Sequence, residues 1–248
     1  MAQQAPRAIW TWEEESYAML EQPRAAESAI AFLQAHKVQT IYLYADAYGA
    51  RNLLVSHPEL YRNLIRRLRQ SGMRAYALLG SAYLNTERYI LPQRRADALA
   101  MVQRVLSYNA LSAPEERFDG INLDIEPHIL AEWDKERIKL LKDFLDMSAA
   151  IVEMKRKYDP RLPVGPAMPF WWDGIEVEWK GRRRPMSEHT QDLYEYVALM
   201  DYRDHAEGGD GIVAHALDEL AYGRKVGRSV VIGVETTPNE IRKVSFNH

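Results

Sequence analysis

Short apolar runs alternate along the chain with longer segments in which apolar residues recur at helical spacing. Seven short runs have the length and the bounding turn residues of buried strands. They are Ala8–Glu13, Thr40–Asp46, Arg74–Gly80, Gly120–Glu126, Val164–Pro169, Tyr196–Arg203 and Ser229–Glu235. Strands that alternate with helices are typical of βα units around a parallel sheet. The pattern therefore predicts an α/β fold.

Three segments between these strands have the periodicity and the end signals of α-helices. The clearest runs from Pro58 to Ser71, because Pro58 suits a first helical turn and Gly72 suits a helix end. Its apolar stripe consists of Leu60, Tyr61, Leu64, Ile65 and Leu68. The other two segments cover about residues 129–158 and 211–226. We expect these helices to connect parallel strands.

The 248 residues suit one large domain, and a (β/α)8 TIM-type barrel commonly fills this length. We predict a single barrel domain over residues 1–248. Only 13 residues follow Glu235 (248 − 235), which is too few for a crossover helix and an eighth strand. A short strand at Lys243–Phe246 would follow no such helix. Either the chain is truncated from a longer domain, or the barrel is incomplete, or the strand count is wrong. We favour truncation and expect a barrel without a recognisable eighth strand in this chain.

Composition narrows the classes of partner. With 47% apolar and 27% charged residues, the chain can bury a large core. A formal net charge of −3 disfavours nucleic acid as the main partner, and the basic run Arg182–Arg184 is typical of a solvated loop. No apolar run reaches the roughly 20 residues of a membrane span. We expect neither nucleic acid nor membrane as a partner, and the oligomeric state stays open.

The chain contains no cysteine, so disulfides, thiolate metal sites and cysteine nucleophiles are excluded. This absence does not settle the compartment. The N-terminus lacks the basic and apolar regions of a signal peptide. However, Ala2–Pro6 is compatible with the start of an exported protein behind an added methionine. Periplasmic or extracellular export, with the signal peptide removed, is one hypothesis for the location.

The strand Gly120–Glu126 carries the candidate chemistry, because successive side chains on a strand face opposite sides. The side chains expected to face the helices are Ile121, Leu123 and Ile125, and those expected to face the barrel interior are Asn122, Asp124 and Glu126. Three interior polar groups are costly unless they line a site, and barrel active sites lie at the C-terminal strand ends. A structural network of buried carboxylates is the alternative interpretation.

The residues of this strand also match a known pattern. Asp119, Asn122, Asp124 and Glu126 stand at the spacing of the D-x-x-D-x-D-x-E strand, and the chain here resembles the chitinase-like family 18 glycoside hydrolases. The resemblance implies that Glu126 is the general acid. It also implies that Asp124 orients a substrate acetamido group, which attacks the anomeric carbon in place of a protein nucleophile. Asn122 replaces the second acidic residue. No cofactor is implied.

The sixth predicted strand adds to the resemblance. Met200-Asp201-Tyr202-Arg203 is similar to the family's M-x-Y-D segment, which implies that Tyr202 contacts the reacting sugar. Arg203 stands where the family has aspartate, and Asp204 follows it. The glycine-rich motif of the third strand is poorly matched, and the tryptophan of the eighth strand has no counterpart. Asp201, Arg203 and Asp204 are therefore candidate substrate-binding residues.

A second carboxylate suggests a rival mechanism. Glu235 closes the seventh predicted strand, and glutamates on strands four and seven resemble the retaining β-glycosidase clan. That resemblance makes Glu126 the acid/base and Glu235 the nucleophile. It is partial, because Ile125 replaces the asparagine of the clan's Asn-Glu-Pro. A carboxylate separation of about 5–5.5 Å suits a nucleophile, and about 6.5–9.5 Å leaves room for water.

Sugar sites need flat apolar surfaces next to polar groups. The candidates at predicted strand ends are Trp10, Trp12, Tyr44, Asp46 and Trp171. Core packing is the alternative for each of them. Trp133 and Trp179 lack that placement and receive no role.

Two further classes of function stay open. Asp124, Glu126, His128 and His205 include the ligand types of metal-dependent barrels, although no H-x-H or H-E-x-x-H motif is present. A catalytically inactive glycan-binding barrel is the other class, because fold alone does not imply function. The retention of both Asp124 and Glu126 favours an enzyme. We therefore predict hydrolysis of a glycosidic bond in a poly- or oligosaccharide, without a cofactor.

Overall fold

A computed structural model describes residues 5–237 and 243–246. The chain divides into two compact units. The first unit draws on Met1–Thr86, Ala96–Asp124 and Glu153–Leu162, and the second on Glu87–Arg95, Ile125–Val152 and Pro163–His248. A single domain over the whole chain stays a prediction.

The first unit is built from βα repeats. In chain order, its elements are β1 (Arg7–Thr11), α1 (Glu13–Glu21), α2 (Pro23–Ala35), β2 (Val38–Tyr44), α3 (Leu53–Ser56), α4 (Pro58–Gln70), β3 (Arg74–Leu79), α5 (Arg95–Ala110) and β4 (Gly120–Leu123). Strands β1, β2, β3 and β4 pair in parallel in that order. Helices α1 and α2 contact β2, and α4 contacts β3. The parallel α/β arrangement is as predicted.

The two faces of this sheet differ in chemistry, as the strand period of two requires. One face is apolar and almost fully buried, and it consists of Ile41, Leu43, Ala75, Ala77, Leu79, Ile121 and Leu123. On the other face, Trp10 stacks on Tyr42 with ring centroids 4.9 Å apart, and Tyr42 meets the edge of Tyr76 at 5.6 Å. The face that carries Asn122 is therefore lined with aromatic rings.

Helix α4 shows how local signals produce the observed element. Tyr61, Leu64, Ile65 and Leu68 are buried, and their spacing places them on one helical face. The helix begins at Pro58 and ends before Gly72, whose φ of +79° suits glycine. The helix is therefore confirmed within one residue of its predicted end.

The second unit contains three parallel strands and a hairpin. In chain order, its elements are α6 (Trp133–Tyr158), β5 (Val164–Pro169), β6 (Glu176–Trp179), β7 (Arg182–Pro185), α7 (Met186–Leu193), β8 (Tyr196–Met200), α8 (Ile212–Val226) and β9 (Ser229–Gly233). The last turns of α6, from Glu153, belong to the first unit. Strand β8 pairs in parallel with both β5 and β9.

The basic run Arg182–Arg184 lies in a strand, and its interpretation as a loop was wrong. Strands β6 and β7 form an antiparallel hairpin. Lys180 and Gly181 connect them with φ values of +49° and +74°, which are typical of a two-residue hairpin turn. Arg183 pairs with Glu176 across the hairpin at 2.9 Å. Opposite charges thus face each other across a hairpin that the residue types alone did not predict.

All seven predicted strands are present, but most are shorter than predicted. Strand β1 ends at Thr11, since Glu13 already begins α1. Strands β4, β8 and β9 end before the acidic residues that were assigned to them. Ser245 makes an isolated parallel bridge with Glu235. In residues 5–237 and 243–246, no eighth strand of the barrel series follows β9, as expected.

Helix α6 is the longest element, at 26 residues, and its backbone leaves helical values at Glu136 (φ −124°, ψ 20°). Its predicted start near residue 129 is four residues too early, because Pro127–Ile129 forms a separate 3-10 turn. Within the described ranges, no helix is both long enough and apolar enough to cross a membrane.

Candidate active site

The end of β4 places Asn122 and Asp124 in the first unit. Asn122 is fully buried, and its Oδ1 accepts a hydrogen bond from the indole Nε1 of Trp10 at 3.0 Å. The backbone N–H of Asp124 donates to the carbonyl of Leu79 at 2.7 Å, which extends the β3–β4 pairing. A Cβ on Gly80 (φ +112°) would overlap the Asp124 carbonyl. Glycine at this position therefore permits the approach that positions Asp124.

Tyr44 and Asp46 follow the same edge of this sheet, and both are buried. The Tyr44 hydroxyl donates to the carbonyl of Ala47 at 2.9 Å. One Asp46 oxygen, Oδ1, accepts from Arg104 at 2.7 Å and from Asn52 at 3.0 Å. Tyr44 has no exposed ring face on which a sugar could stack. A role in substrate binding stays a prediction for both residues.

Glu13 is a carboxylate at this edge that the sequence interpretation missed. It lies at the start of α1, is partly exposed, and accepts a short hydrogen bond from the hydroxyl of Ser81. The neighbouring Trp12 is 40% exposed and so offers a ring face to solvent. The available signal was the position of Glu13 two residues after the end of an apolar strand, close to the placement of Asp124 after β4.

Glu126 lies in the second unit, in extended backbone that leads into the 3-10 turn Pro127–Ile129. The turn brings the side chain of His128 back beside Glu126. The imidazole Nε2 lies 3.1 Å from Oε2 of Glu126, and the two side chains are 24% and 28% exposed. The two groups are therefore in polar contact and still reachable from solvent.

Two tryptophans surround this pair. The ring centroid of Trp171 lies 5.4 Å from that of His128, and the centroid of Trp133 lies 6.1 Å from it, both in edge-to-face geometry. Trp171 is exposed in part, while its neighbour Trp172 is buried against Phe144. Trp133 received no role from the sequence, because it begins a helix and does not follow a strand.

Asp201 directly follows β8 and is part of a buried network. Its Oδ1 lies 3.1 Å from Nδ1 of His215, and burial raises the pKa of Asp201, against the opposing effect of His215. His215 stacks on Phe170 at 4.0 Å, and the Arg203 guanidinium lies 4.7 Å from the Phe170 centroid. Arg203 also pairs with Asp210 at 2.9 Å. Arg203 is thus held by protein partners where the family pattern has aspartate.

Tyr202 and Asp204, which follow β8, make hydrogen bonds and polar contacts with their sequence neighbours. The carbonyl of Tyr202 accepts from Nη1 of Arg203 at 2.8 Å, and the Tyr202 side chain is partly exposed. Asp204 lies 2.6 Å from His205 (Oδ1 to Nδ1), and its backbone N–H donates to the carbonyl of Lys243 at 3.0 Å. Roles for Tyr202 and Asp204 in sugar binding stay predictions.

Glu235 follows β9 and is partly exposed. Its Oε1 accepts from the backbone N–H groups of Thr236 at 2.7 Å and Thr237 at 2.6 Å. The carboxylate therefore caps its own turn. This local role competes with the role of nucleophile that the clan resemblance implied, and the latter stays a prediction.

The histidines that suggested a metal site pair individually with carboxylates. His128 faces Glu126, and His205 faces Asp204. In the part of the chain that the structure describes, no group of three or more acidic or histidine side chains is arranged to hold a metal ion. The metal-dependent alternative stays a prediction.

Comparison with known proteins places the fold. No protein-family model matches the sequence, and no curated protein is similar to it. Solved structures of family 18 chitinases do match. The Cycas revoluta chitinase in complex with (GlcNAc)3 has a TM-score of 0.52 and 17% identity, and the alignment covers 92% of this chain and 68% of that chain. The class V chitinase of Nicotiana tobaccum has a TM-score of 0.53 and 11% identity, with coverages of 93% and 66%.

A third match is the second catalytic domain of the Ostrinia furnacalis Group II chitinase, with a TM-score of 0.51, 13% identity, and coverages of 79% and 56%. The chain thus spans between 56% and 68% of the length of these three solved chains. At such low identities, the likeness establishes the fold alone. The chain has the (β/α)-barrel fold of chitinase-like glycoside hydrolases, which confirms the predicted fold class.

Proposed function

We propose that the protein is a glycoside hydrolase that cleaves oligo- or polysaccharides containing acetamido sugars. One observation carries the proposal: the end of β4 delivers two partly exposed carboxylates, Asp124 and Glu126, two residues apart in a fold of the chitinase type. The complexes of similar folds with (GlcNAc)3 and (NAG)5 support the substrate class.

In this mechanism, Glu126 donates a proton to the leaving glycosidic oxygen as the bond to the anomeric carbon breaks. Asp124 orients the substrate acetamido group, whose carbonyl oxygen forms a bond to the anomeric carbon. Water then attacks that carbon as its bond to the acetamido oxygen breaks, and the water gives a proton to Glu126, which restores the acid. Two carboxylates with these roles need no protein nucleophile. The hydrogen bonds of Glu235 to its own turn agree with a mechanism that does not use it.

The direct test is the release of reducing ends from chitin oligosaccharides and from neutral polysaccharides. We expect cleavage of the acetamido substrates, and a loss of at least about a thousandfold in Glu126→Gln, which removes the proton donor. Glu235→Gln is the matched control and should retain most of the activity.

Full activity of Glu126→Gln would refute the assignment of the acid. Cleavage of neutral glycans only, lost in Glu235→Gln, would favour the retaining mechanism with Glu235 as nucleophile. Binding of (GlcNAc)3 without turnover would favour the inactive glycan-binding protein, whose supporting observation is the replacement of a family aspartate by Arg203.

A further inference from the structure

We propose that His128 is a positioning residue that orients the carboxyl group of Glu126 for proton transfer. The proposal rests on the proposed function of Glu126 as general acid. Its starting observation is the 3.1 Å distance between Nε2 of His128 and Oε2 of Glu126. Nothing in the spacing of the sequence indicated this contact, because it depends on the turn at Pro127.

The imidazole is held in place by packing on several sides. Trp171 and Trp133 contact the imidazole edge to face, with interplanar angles of 84° and 73°. The ring centroids of the two indoles lie 5.9 Å apart. The guanidinium of Arg137 lies 5.6 Å from the Trp133 centroid, which restrains that ring in turn. Because the histidine ring is restrained, its Nε2 keeps one direction, toward Glu126.

The surroundings of the ring also select its tautomer. Nδ1 of His128 is buried and meets no hydrogen-bond partner among the described residues. A proton on Nδ1 would be a buried N–H group without an acceptor, which costs its lost hydration, whereas a proton on Nε2 lies beside a carboxyl oxygen. The ring proton is therefore better placed on Nε2, the nitrogen that lies 3.1 Å from Oε2 of Glu126.

This contact decides which oxygen of Glu126 is the acid. With Nε2 of His128 beside Oε2, a proton on the carboxyl group is expected on Oε1. We assign Oε1 to the leaving glycosidic oxygen. A general acid must lie within hydrogen-bond reach of the atom that it protonates, so a carboxyl group free to rotate would present its proton in the productive direction only part of the time.

Three substitutions separate positioning from packing. In His128→Gln, the side-chain amide nitrogen occupies about the place of Nε2, whereas in His128→Asn the shorter amide stops at about the place of Nδ1. His128→Phe retains the ring contacts without any donor. On a cleaved chitin oligosaccharide, we expect His128→Gln to keep kcat within roughly threefold of the wild type. We expect the other two variants to lose roughly tenfold or more in kcat with KM nearly unchanged.

A readout that does not require turnover is the tautomer of His128 in ¹⁵N-labelled protein. Long-range ¹H–¹⁵N spectra resolve the ring nitrogens of the seven histidines, and comparison with His128→Gln assigns the signals. We expect the Nε2–H form at neutral pH, with an Nε2 shift that changes in Glu126→Gln. An Nδ1–H form, or a spectrum indifferent to Glu126→Gln, would overturn the proposal.

The two experiments separate this inference from the proposed function. One outcome is that the wild type shows no cleavage while the tautomer signal of His128 changes in Glu126→Gln. In that case the orienting contact stands and the proposed hydrolase activity fails. If Glu126→Gln abolishes cleavage but His128→Phe is fully active, the activity stands and the positioning role fails. Equal losses in His128→Gln and His128→Phe, with lowered thermal stability, would assign the ring to packing alone.

Discussion

Glu219 provides the sharpest test of the buried electrostatics. It lies in α8 with 1% of its surface exposed, and neither carboxylate oxygen has a hydrogen-bond partner on another described residue. Burial raises the pKa of Glu219 from 4.5 to about 8, and the negative charges of Asp173, Asp218 and Asp201 add to the shift. The side chain is therefore neutral in the folded protein at pH 7.

The sign of the effect on stability follows from linkage. Because the pKa of Glu219 is higher in the folded chain, the unfolded chain loses this proton first as the pH rises above about 4.5. The free energy of unfolding therefore falls with rising pH, by about 1.4 kcal/mol per unit, until the pH reaches about 8. Between pH 5.5 and 7.5, Glu219 alone removes about 2.5 kcal/mol of stability.

Glu219→Gln keeps the shape and removes the titration, so it should remove this slope. In urea unfolding, we expect the difference in free energy of unfolding between Glu219→Gln and the wild type to grow by about 2.5 kcal/mol from pH 5.5 to 7.5, in favour of the variant. For a chain of this length, that corresponds to roughly 5–10 °C in Tm. The exposed neighbour provides the control, and Asp218→Asn should keep most of the wild-type slope. A Glu219→Gln variant with the pH dependence of the wild type would refute the reasoning.

Two structural contacts of the site give further predictions. Gly80→Ala should cost about 2–4 kcal/mol, since its Cβ would overlap the Asp124 carbonyl, whereas Gly72→Ala, also at positive φ but with open space around it, should cost only about 1 kcal/mol. Equal losses in urea unfolding would contradict the close approach. Asn122→Leu and Trp10→Phe, measured singly and together, should show a coupling of about 1 kcal/mol from their hydrogen bond. Strictly additive losses would mean that the bond contributes nothing.

The cores of the strands and helix α4 were predictable because their apolar period is local. Strand β5 was predicted to the residue, and the other strands were predicted with overlong ends. The alternation of apolar and polar residues continues into the loop after β4, where Ile125 is still buried, although the pairing ends earlier. Strand ends depend on which partner strand continues, and this is not a property of one segment.

Elements without a strong local period escaped the sequence interpretation. The hairpin β6–β7, which is dominated by charged residues, is one of them. Helices α2 and α5 also escaped, although their buried residues recur at helical spacing, as Ala26, Ile30 and Leu33 do in α2. Trp133 likewise gave no signal, since its role depends on the ring of Trp171, 38 residues later. Contacts between distant residues are determined by packing and have no trace in short-range spacing.

The sequence by itself determined the α/β class, the order of the seven strands and the position of Asp124 and Glu126 at the end of β4. It did so because side-chain periodicity and strand-end chemistry are written into a few consecutive residues. Only the three-dimensional structure decided that His128 faces Glu126, that Asp46 forms an ion pair with Arg104, and that Glu235 caps its own turn. The Asp46–Arg104 pair joins residues 58 positions apart, and the other two contacts depend on the backbone turns at Pro127 and after Glu235, so none of them follows from the spacing of apolar and polar residues.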